Sequence, residues 1–397
     1  MNGRKVFVAG AVRTPIGKFG GGLAGVPAAE LGAVAARAAL ERANLPAERV
    51  EQVVFGHARQ AGNGPNLARQ VVRRAGLADT VPAFTINMAC ASGLMSVIEA
   101  ARAVALGEAD VVLAGGAENM SAIPFLFPDG RWGKKLGDEP LVDAMYRDGY
   151  LCPLCGQVMG ETAETLVSEY GITRQEQDEY ALASQRRAAA AWADGRFADE
   201  VAPVRVKDAK GRETTVDKDE HPRADTTLEG LGKLPPVFKK EGSVHAGNSS
   251  AITDGAAAML VLSEDAADRL DGVVQARLVD AVAVGVDPAR MGIGPVPAVE
   301  KLLSKNLLNL TEIDLVELNE AFAAQVIACD RELHFDRARL NVNGGAIALG
   351  HPTGCSGTRI AVTLLAELAR RKGRYGIATL CVSGGQGVAA LFENLAR

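Results

Sequence analysis

Cys90 has the sequence context best suited to covalent chemistry among the six cysteines of the chain. It lies in the segment Asn87-Met-Ala-Cys-Ala-Ser-Gly93, directly before an apolar stretch with helical periodicity. A thiol at the start of a helix is near the positive end of the helix dipole, and this position is expected to lower its pKa. An inert buried cysteine is the alternative, since free cysteine is among the most buried residue types.

A second segment surrounds His351 with glycine. Residues Asn343-Gly-Gly-Ala-Ile-Ala-Leu-Gly-His-Pro-Thr-Gly-Cys-Ser-Gly357 contain five glycines and precede another helical stretch. So much glycine around one histidine indicates that the backbone passes close to a ligand. A thiolate paired with an imidazolium is a common way to make an acylatable cysteine at neutral pH. A structural histidine bonded to the backbone is the alternative, and the glycine context favours the functional interpretation.

Two further polar side chains follow predicted strands. Cys381 ends the last predicted strand, and Asn319 follows the strand that contains Leu315 and Val316. Sheets of the α/β class place their ligands at the carboxyl edge of the strands. Cys381 is therefore a candidate base, and Asn319 is a candidate for orienting a water or polarising an oxygen. An ordinary cap at the end of a strand is the alternative for Asn319.

The elements that position these residues occur twice along the chain. A helical stretch followed by an apolar strand occurs at 27–55 and again at 296–316. The Ser-Gly pairs at 92–93 and 356–357 each open a helix that leads to a strand and a pair of glycines. Short strands alternating with helices are typical of βαβ units. We predict two duplicated α/β halves whose cysteine and histidine loops face each other, with chance similarity between βαβ units as the alternative.

An insertion separates the two halves. It carries proline and glycine clusters, a long helical pattern and a charged run, and Thr173-Arg-Gln-Glu176 has the spacing of a capping box that starts a helix. The predicted domains are an N-terminal half at 1–120 completed by about 248–270, an inserted loop domain at 121–247, and a C-terminal half at 271–397.

Composition limits the classes of partner. The net charge of −5 gives no basic field for nucleic acid, and the apolar stretches are shorter than a membrane span. Six cysteines in 397 residues are too sparse for a disulfide framework and indicate a reducing compartment. With no visible export signal, we expect a cytoplasmic protein that acts on small molecules and binds neither nucleic acid nor membranes.

The chain resembles the thiolases over essentially its whole length. Beside the Cys90 segment, the matching motifs are Arg13-Thr-Pro-Ile-Gly-Lys-Phe-Gly-Gly21, Ala246-Gly-Asn-Ser-Ser-Ala-Ile-Thr-Asp-Gly255, Asn319-Glu-Ala-Phe322, Gly350-His-Pro-Thr-Gly354 and Gly384-Gly-Gln-Gly387. Six motifs in family order are very specific. The resemblance implies an α/β fold of the thiolase type, in which two duplicated βαβ-based halves form five layers (α-β-α-β-α) with an inserted loop domain.

The resemblance also implies a reversible Claisen condensation in two steps. Cys90 takes the acyl group from an acyl-CoA, His351 activates the Cys90 thiol, and Cys381 removes the α-proton of acetyl-CoA. His351 and a water held by Asn319 are the expected donors to the enolate oxygen, and the backbone N–H groups of Cys90 and Ser383 form a second oxyanion hole. Acetoacetyl-CoA or another short-chain 3-ketoacyl-CoA is the expected substrate, in fatty acid metabolism.

Binding of CoA is implied at four positions. Arg223, Thr226, Phe238 and Ser250 match the family's contacts to the adenine and pantetheine parts, and the alternative for Arg223 is a solvated charge in a charged run. CoA thioesters are then substrates, and neither a permanently bound cofactor nor a metal is expected. The loop at 122–142 resembles the one through which many thiolases form homotetramers as dimers of dimers.

Three features depart from the family pattern. Val158 replaces a histidine that biosynthetic acetoacetyl-CoA thiolases usually have near the pantetheine, and Ser383 replaces a common glycine. Both substitutions affect the expected acyl-chain preference. Cys152 and Cys155 have the spacing of a zinc or redox pair but lack a second pair at a suitable distance, which disfavours metal binding.

Two other functions remain as alternatives. A ketoacyl synthase-like condensing enzyme uses one cysteine with two histidines, so Cys381 and the Asn-Glu-Ala-Phe motif disfavour it. A non-catalytic thiolase-like subunit that binds acyl-CoA is disfavoured because all four catalytic positions are present.

Overall fold

The computed structural model describes residues 3–207, 211–270 and 273–395. The predicted start of the last domain at residue 271 lies outside them, so the predicted domain boundaries stay a prediction. The strands are β1 (Val6–Arg13), β2 (Gly17–Lys18), β3 (Gln52–Gly56), β4 (Ala83–Ile86), β5 (Val111–Asn119), β6 (Phe125–Leu126), β7 (Val142–Asp143), β8 (Val204–Lys207), β9 (Glu213–Val216), β10 (Thr253–Ser263), β11 (Val274–Gly285), β12 (Leu315–Leu318), β13 (Tyr375–Val382) and β14 (Gln386–Asn394).

Helices follow the strands in each half and fill much of the insertion. They are α1 (Ala28–Arg42), α2 (Leu67–Ala75), α3 (Ser92–Leu106), α4 (Met159–Tyr170), α5 (Arg174–Ala193), α6 (Leu228–Gly232), α7 (Glu264–Ala267), α8 (Pro295–Asn306), α9 (Ala323–Leu333), α10 (Ala346–Leu349) and α11 (Thr353–Arg371). The predicted capping box starts α5, because Thr173 and Glu176 each bond the backbone N–H of the other.

One large sheet runs through both halves, in the order β12-β13-β14-β11-β1-β10-β5-β3-β4, with β2 beside β10. On one side β10 is antiparallel to β1 and β5, while β3 is parallel to β5. On the other side β14 is antiparallel to β11 and β13, while β12 is parallel to β13. The same strand order and directions therefore occur twice, as the repeated sequence pattern predicted, and antiparallel pairing of β1 with β11 joins the halves.

Side chains alternate between the two faces of this sheet. Helices pack on both faces in each half, and helices and strands together form five layers. On β3, Val53 and Phe55 pack with α1 and α2 on the outer face, whereas Val54 packs with the central helices α3 and α11. On β14, Leu391 packs with α8 and α9 on the other outer face, and Phe392 points to the centre. The arrangement α-β-α-β-α thus follows from one period-2 pattern in each half.

The central helices touch backbone to backbone near their first turns. A Cβ placed on Gly93 would lie 2.8 Å from the Thr358 nitrogen, and one on Gly357 would lie 2.3 Å from the Leu94 nitrogen. Both distances are too short for any side chain, so glycine is required at both duplicated positions. The expectation that every apolar stretch is shorter than a membrane span is wrong for residues 89–106, which include α3. By length and composition this stretch could cross a membrane, but 67% of it is buried inside the protein.

A buried acid and base connect β12 to α11. The Glu317 carboxylate lies 3.6 Å from the Arg359 guanidinium, and both side chains are almost fully excluded from solvent. Burial raises the pKa of Glu317 to about 8, although the Arg359 charge acts in the opposite direction. Glu317 is therefore protonated in the folded chain at neutral pH, when it would be ionised in the unfolded chain.

Replacement of Glu317 by glutamine should make stability less dependent on pH. The wild-type carboxyl contributes stability that is fully present below its unfolded pKa near 4.5 and is lost as the pH rises to about 8. We expect the melting temperature of Glu317→Gln, measured by calorimetry, to rise relative to that of the wild type as the pH is raised from 5 to 8. The exposed Glu300→Gln is the control, and a difference independent of pH would contradict the assignment.

Candidate active site

The four predicted catalytic side chains come from both halves and meet beside the central helices. Cys90 is in a 3₁₀ turn (Ala89–Ala91) before α3, and His351 is in the loop before α11. Asn319 directly follows β12, and Cys381 is near the end of β13. All but the half-buried Cys90 are buried. The carboxyl ends of equivalent strands and the starts of equivalent helices therefore define the site.

The Cys90 sulfur is held by a strained turn and by backbone donors. Ala89 has φ +43°, in the left-handed region that L-residues rarely adopt. The backbone N–H groups of Ser383 and of Cys90 itself are directed at the sulfur. These are the two donors that the resemblance assigned to the second oxyanion hole.

The expected lowering of the Cys90 pKa is wrong for the resting protein. Burial raises the pKa of the thiol, and this effect exceeds the opposing influence of the Arg59 charge and of the Ser383 and Cys90 N–H groups. Cys90 is consequently a neutral thiol until a base or a bound substrate assists its ionisation. The position at a helix start was correctly recognised, but the depth of the site could not be read from it.

His351 has a defined tautomer. The Ser356 hydroxyl donates to the Pro352 carbonyl oxygen at 3.0 Å, so it can only accept from His351 Nδ1. The proton is therefore assigned to Nδ1, which leaves Nε2 as an acceptor, and Asn319 Nδ2 lies 3.5 Å from Nε2. An imidazole in this form can receive a proton at Nε2.

The expected imidazolium at His351 is also wrong. Burial lowers the pKa of His351 to about 3, and the positive charges of Arg359 and Arg59 add to the effect. The ring is neutral throughout the physiological range. His351 can accept a proton transiently during a reaction, but it provides no standing positive charge for a thiolate.

Asn319 and Cys381 complete the group. The Asn319 Oδ1 atom is buried and has no hydrogen-bond partner within the described residues, so an acceptor points into the site. Burial, together with the neighbouring Cys90 and Cys329, raises the pKa of Cys381 well above its usual value. Cys381 is therefore a thiol at rest, close enough to Cys90 for the two sulfurs to influence each other.

Glu118, which the sequence analysis did not select, connects the two halves at this site. Its buried carboxylate accepts the backbone N–H groups of Ala58 at 3.0 Å, Arg59 at 3.1 Å and Gly354 at 2.8 Å. Burial opposes its ionisation, but His57 at 2.7 Å and the Arg59 charge lower its pKa below the usual value. An acidic residue at the carboxyl end of β5, after Gly115 and Gly116, was the available signal.

Glu320 performs a similar task on the other side. Its carboxylate accepts hydrogen bonds from the Tyr180 hydroxyl at 2.9 Å, the Ser184 hydroxyl at 2.7 Å and the Ile347 N–H at 3.1 Å. It thereby ties α5 of the insertion to the loops that contain Asn319 and His351. Its place in the Asn-Glu-Ala-Phe motif indicated importance but not this structural role.

A cavity of about 1000 Å³ leads toward the site and is lined by all four predicted CoA-binding residues, Arg223, Thr226, Phe238 and Ser250. Phe238 packs edge-on against Phe322 with ring centroids 6.1 Å apart. A Cβ on Gly160 would lie 2.2 Å from the Phe238 ring, so glycine is required there. Val158, which replaces the histidine that biosynthetic acetoacetyl-CoA thiolases usually have, also lines this cavity.

The loop that carries Arg223 is anchored by a buried ion pair. The Arg13 guanidinium donates two hydrogen bonds to Asp219, at 2.7 and 3.0 Å, and one to Glu200 at 2.6 Å. Asp219 also accepts the Ile16 N–H at 2.7 Å. The Arg13-Thr-Pro-Ile motif therefore positions one wall of the cavity rather than touching the reacting sulfur.

Cys152 and Cys155 form an isolated pair of free thiols beside the site. Burial opposes ionisation of Cys152, but the N–H groups of Cys155, Leu154 and Gly384 and the Cys155 thiol lower its pKa. No group of three or more His, Cys, Asp or Glu side chains in the described parts of the chain is arranged to hold a metal ion.

Comparison with known proteins gives consistent results. Models of the thiolase N-terminal and C-terminal domains match residues 6–265 and 273–394. The acetyl-CoA acetyltransferase of Pseudomonas aeruginosa is 51% identical over 384 residues, covering 97% of this chain and 98% of that protein. The Bacillus anthracis acetyl-CoA acetyltransferase structure has TM-score 0.96 at 44% identity, covering 99% of both chains. The human mitochondrial 3-ketoacyl-CoA thiolase in complex with CoA has TM-score 0.94 at 44% identity, covering 98% of both.

The Ser356→Ala variant tests the assigned tautomer of His351. Without the acceptor at Nδ1, the ring loses the contact that keeps Nε2 unprotonated, so we expect kcat for acyl transfer to fall by about ten to a hundredfold, with a smaller change in KM. Thr363→Val is the control, because it removes a buried hydroxyl on the same helix that bonds Glu200. Unchanged kcat in a stably folded Ser356→Ala protein would show that the tautomer is set otherwise.

Proposed function

This chain belongs to the thiolase family, and we propose that its acyl transfer proceeds through a covalent acyl group on Cys90. It is an acyltransferase with thiolase activity, like the relatives that match it from end to end. The observation that carries the mechanism is the convergence of Cys90, Cys381, His351 and Asn319 at one place beside the cavity. Each has a different environment, which supports a separate role for each.

The first step forms the acyl-enzyme. Cys90 attacks the thioester carbonyl of an acyl-CoA while His351 Nε2 takes the thiol proton, and this proton then passes to the departing CoA sulfur. The neutral His351 is suited to this transfer because Nε2 is an acceptor in its resting tautomer. The carbonyl oxygen becomes negative in the transition state and accepts hydrogen bonds from the backbone N–H groups of Cys90 and Ser383.

The second step forms or breaks the carbon–carbon bond. In condensation Cys381 first loses its thiol proton to water and then, as the thiolate, removes an α-proton from acetyl-CoA. The resulting carbanion attacks the acyl carbon, and the departing Cys90 thiolate takes up a proton. In thiolysis the same path runs backwards, and Cys381 gives its proton to the departing acetyl-CoA carbanion. The raised pKa of Cys381 supports the second direction directly, since the resting group is the protonated donor.

In this mechanism His351 and Asn319 stabilise the enolate. The α-proton of a thioester is far less acidic than a thiol, so Cys381 succeeds only if the enolate oxygen is strongly stabilised. A water between Asn319 Oδ1 and the substrate is supported by the unpartnered, buried state of this atom. The removal of one such donor typically lowers the rate by about 10²–10³.

We propose that CoA thioesters occupy the cavity with the nucleotide near Arg223 and Thr226 and the pantetheine near Phe238 and Ser250. The shared lining of one cavity by these four residues supports the assignment. CoA is thus a substrate rather than a resident cofactor. Acetoacetyl-CoA and other short-chain 3-ketoacyl-CoA thioesters are the proposed substrates, and Val158 in the cavity wall and Ser383 at the sulfur tune this preference.

Replacement of Arg223 by glutamine tests the nucleotide end. The guanidinium is exposed at the cavity and is suited to phosphate, while the Arg223 backbone N–H is fixed by Gln185 at 2.8 Å. We expect KM for CoA thioesters to rise about tenfold at low ionic strength with kcat nearly unchanged. Exposed Arg73→Gln is the control, and a fall in kcat without a change in KM would reject the assignment.

We further propose a cytoplasmic homotetramer that works in fatty acid metabolism. Exposed apolar side chains at Phe125, Phe127, Trp132 and Leu136 support an association surface in the loop around β6 and β7. The mass of the purified protein in solution, from sedimentation, distinguishes four chains from two. Fractionation of cells measures the location.

The decisive experiment compares wild type, Cys90→Ala and Cys381→Ala. Thiolysis of acetoacetyl-CoA and of a longer 3-ketoacyl-CoA should fall by at least about 10³ in both variants. Incubation with acetyl-CoA should acetylate Cys90 in the wild type and in Cys381→Ala, detected by mass spectrometry of the intact protein, because only the second step needs Cys381.

The matched control is Cys355→Ala, which removes a buried thiol outside the proposed site and should retain activity. Undiminished thiolysis by Cys90→Ala would overturn the covalent mechanism. Wild-type protein that binds acyl-CoA but neither cleaves 3-ketoacyl-CoA nor becomes acetylated would support the non-catalytic alternative.

A further inference from the structure

A buried arginine that the mechanism above does not use lies beside the proposed nucleophile. Arg59 follows β3 and is only 7% exposed. Its guanidinium donates to the carbonyl oxygens of Gly149 at 3.0 Å and Asp148 at 3.4 Å, and it lies 5.6 Å above the centre of the Tyr150 ring. Its Nε atom is buried without a hydrogen-bond partner within the described residues.

The backbone around Arg59 is fixed to the same elements that carry Cys90. Its N–H donates to the Glu118 carboxylate at 3.1 Å, and the side chain of Asn87, in the Cys90 segment, donates to the Ala58 carbonyl at 3.1 Å. A Cβ on Gly149 would lie 2.4 Å from the guanidinium carbon, so a larger residue at this position would displace the Arg59 side chain. The location of the cation is therefore built into the fold.

The positive charge of Arg59 is not cancelled by a bonded anion. Its side chain bonds neutral carbonyl oxygens, while Glu118 accepts its backbone N–H and lies 2.7 Å from His57. An arginine stays charged even when buried. Arg59 influences the ionisation of Cys90, His351, Glu118 and Tyr150. The guanidinium is thus a permanent cation close enough to the site to influence Cys90.

Because His351 is neutral at rest, it offers the Cys90 sulfur a positive charge only after it has taken the thiol proton. When Cys90 attacks a thioester, or when it leaves as the acyl group is transferred, its sulfur carries negative charge. A standing imidazolium would balance this charge, but His351 is neutral at rest. A buried cation interacts strongly with a nearby sulfur because little water screens the two.

We propose that Arg59 is an electrostatic positioning residue that balances the negative charge on the Cys90 sulfur during acyl transfer. The proposal rests on the function proposed above for Cys90. Arg59 acts through Cys90 and needs no contact with the substrate. The Tyr150 ring, which also lines the cavity, covers the guanidinium at 5.6 Å and limits the access of water to the charge.

The test measures the ionisation of Cys90 directly in the full-length protein. The rate at which iodoacetamide alkylates Cys90, mapped by peptide mass spectrometry, is recorded from pH 6 to pH 10 for wild type, Arg59→Met and Arg59→Lys. Within the described residues, the ionisable or charged groups that interact with Cys90 include Arg59, Glu118, Tyr150 and Cys381, and His351 lies in the loop before α11, which contacts the Cys90 turn. Methionine keeps much of the length of arginine without its charge, and lysine keeps the charge.

We expect the alkylation profile of Arg59→Met to move upward by about one pH unit, with about tenfold slower alkylation at pH 7. Arg59→Lys should restore most of the wild-type profile, and kcat for thiolysis should fall more than KM rises in Arg59→Met. Exposed Arg73→Met is the control. An unchanged profile in a folded Arg59→Met protein would overturn the proposal, even if its activity fell.

A second variant keeps the test decisive if Arg59→Met does not fold. Glu118→Gln removes a negative charge that raises the Cys90 pKa, so its profile should move to lower pH. An upward movement in Glu118→Gln would contradict the electrostatic account. Because alkylation requires no turnover, either result is distinguishable from failure of the proposed function, which Cys90→Ala and the acetylation of Cys90 test separately.

Discussion

The contact between the first turns of α3 and α11 is the constraint on which the site depends. Gly93 and Gly357 allow the two helices to meet backbone to backbone, and a Cβ on either would overlap the other helix. This approach places the two duplicated loops, with Cys90 and His351, side by side. The Glu118 carboxylate then fixes the distance by bonding the Gly354 N–H of α11 from the other half. Without this contact the chain would hold two half-sites.

Burial at that junction decides the ionisation of Cys90, Cys381 and His351. It raises the pKa of Cys90 and Cys381 and lowers that of His351, so all three are neutral at rest. A site of neutral groups suits a reaction in which protons move only when substrate is bound. The fixed charges beside it, Arg59 and Glu118, belong to the framework and supply an electrostatic field rather than a proton.

The inserted segment converts this junction into a binding site for a long substrate. Its helix α5 is fastened to the site loops through Glu320, and its charged loop is fastened to β1 through Asp219 and Arg13. The lining of the cavity between them includes Phe322, of the motif that begins at Asn319. The motifs that lie far apart in sequence therefore serve two purposes. Some contain the proposed catalytic residues, and others position the walls of the cavity.

The sequence alone was enough to predict the duplicated fold, which is confirmed, and to select the four site residues, which stay a prediction, because apolar periodicity, glycine pairs and motif order are local patterns along the chain. It also indicated Gly93 and Gly357 as a repeated pair, without the reason for them. The tertiary structure decided the protonation of Cys90 and His351 and the importance of Glu118 and Arg59. These properties depend on burial and on charges contributed by segments distant in sequence. The depth of burial of such groups cannot be predicted from a local sequence pattern.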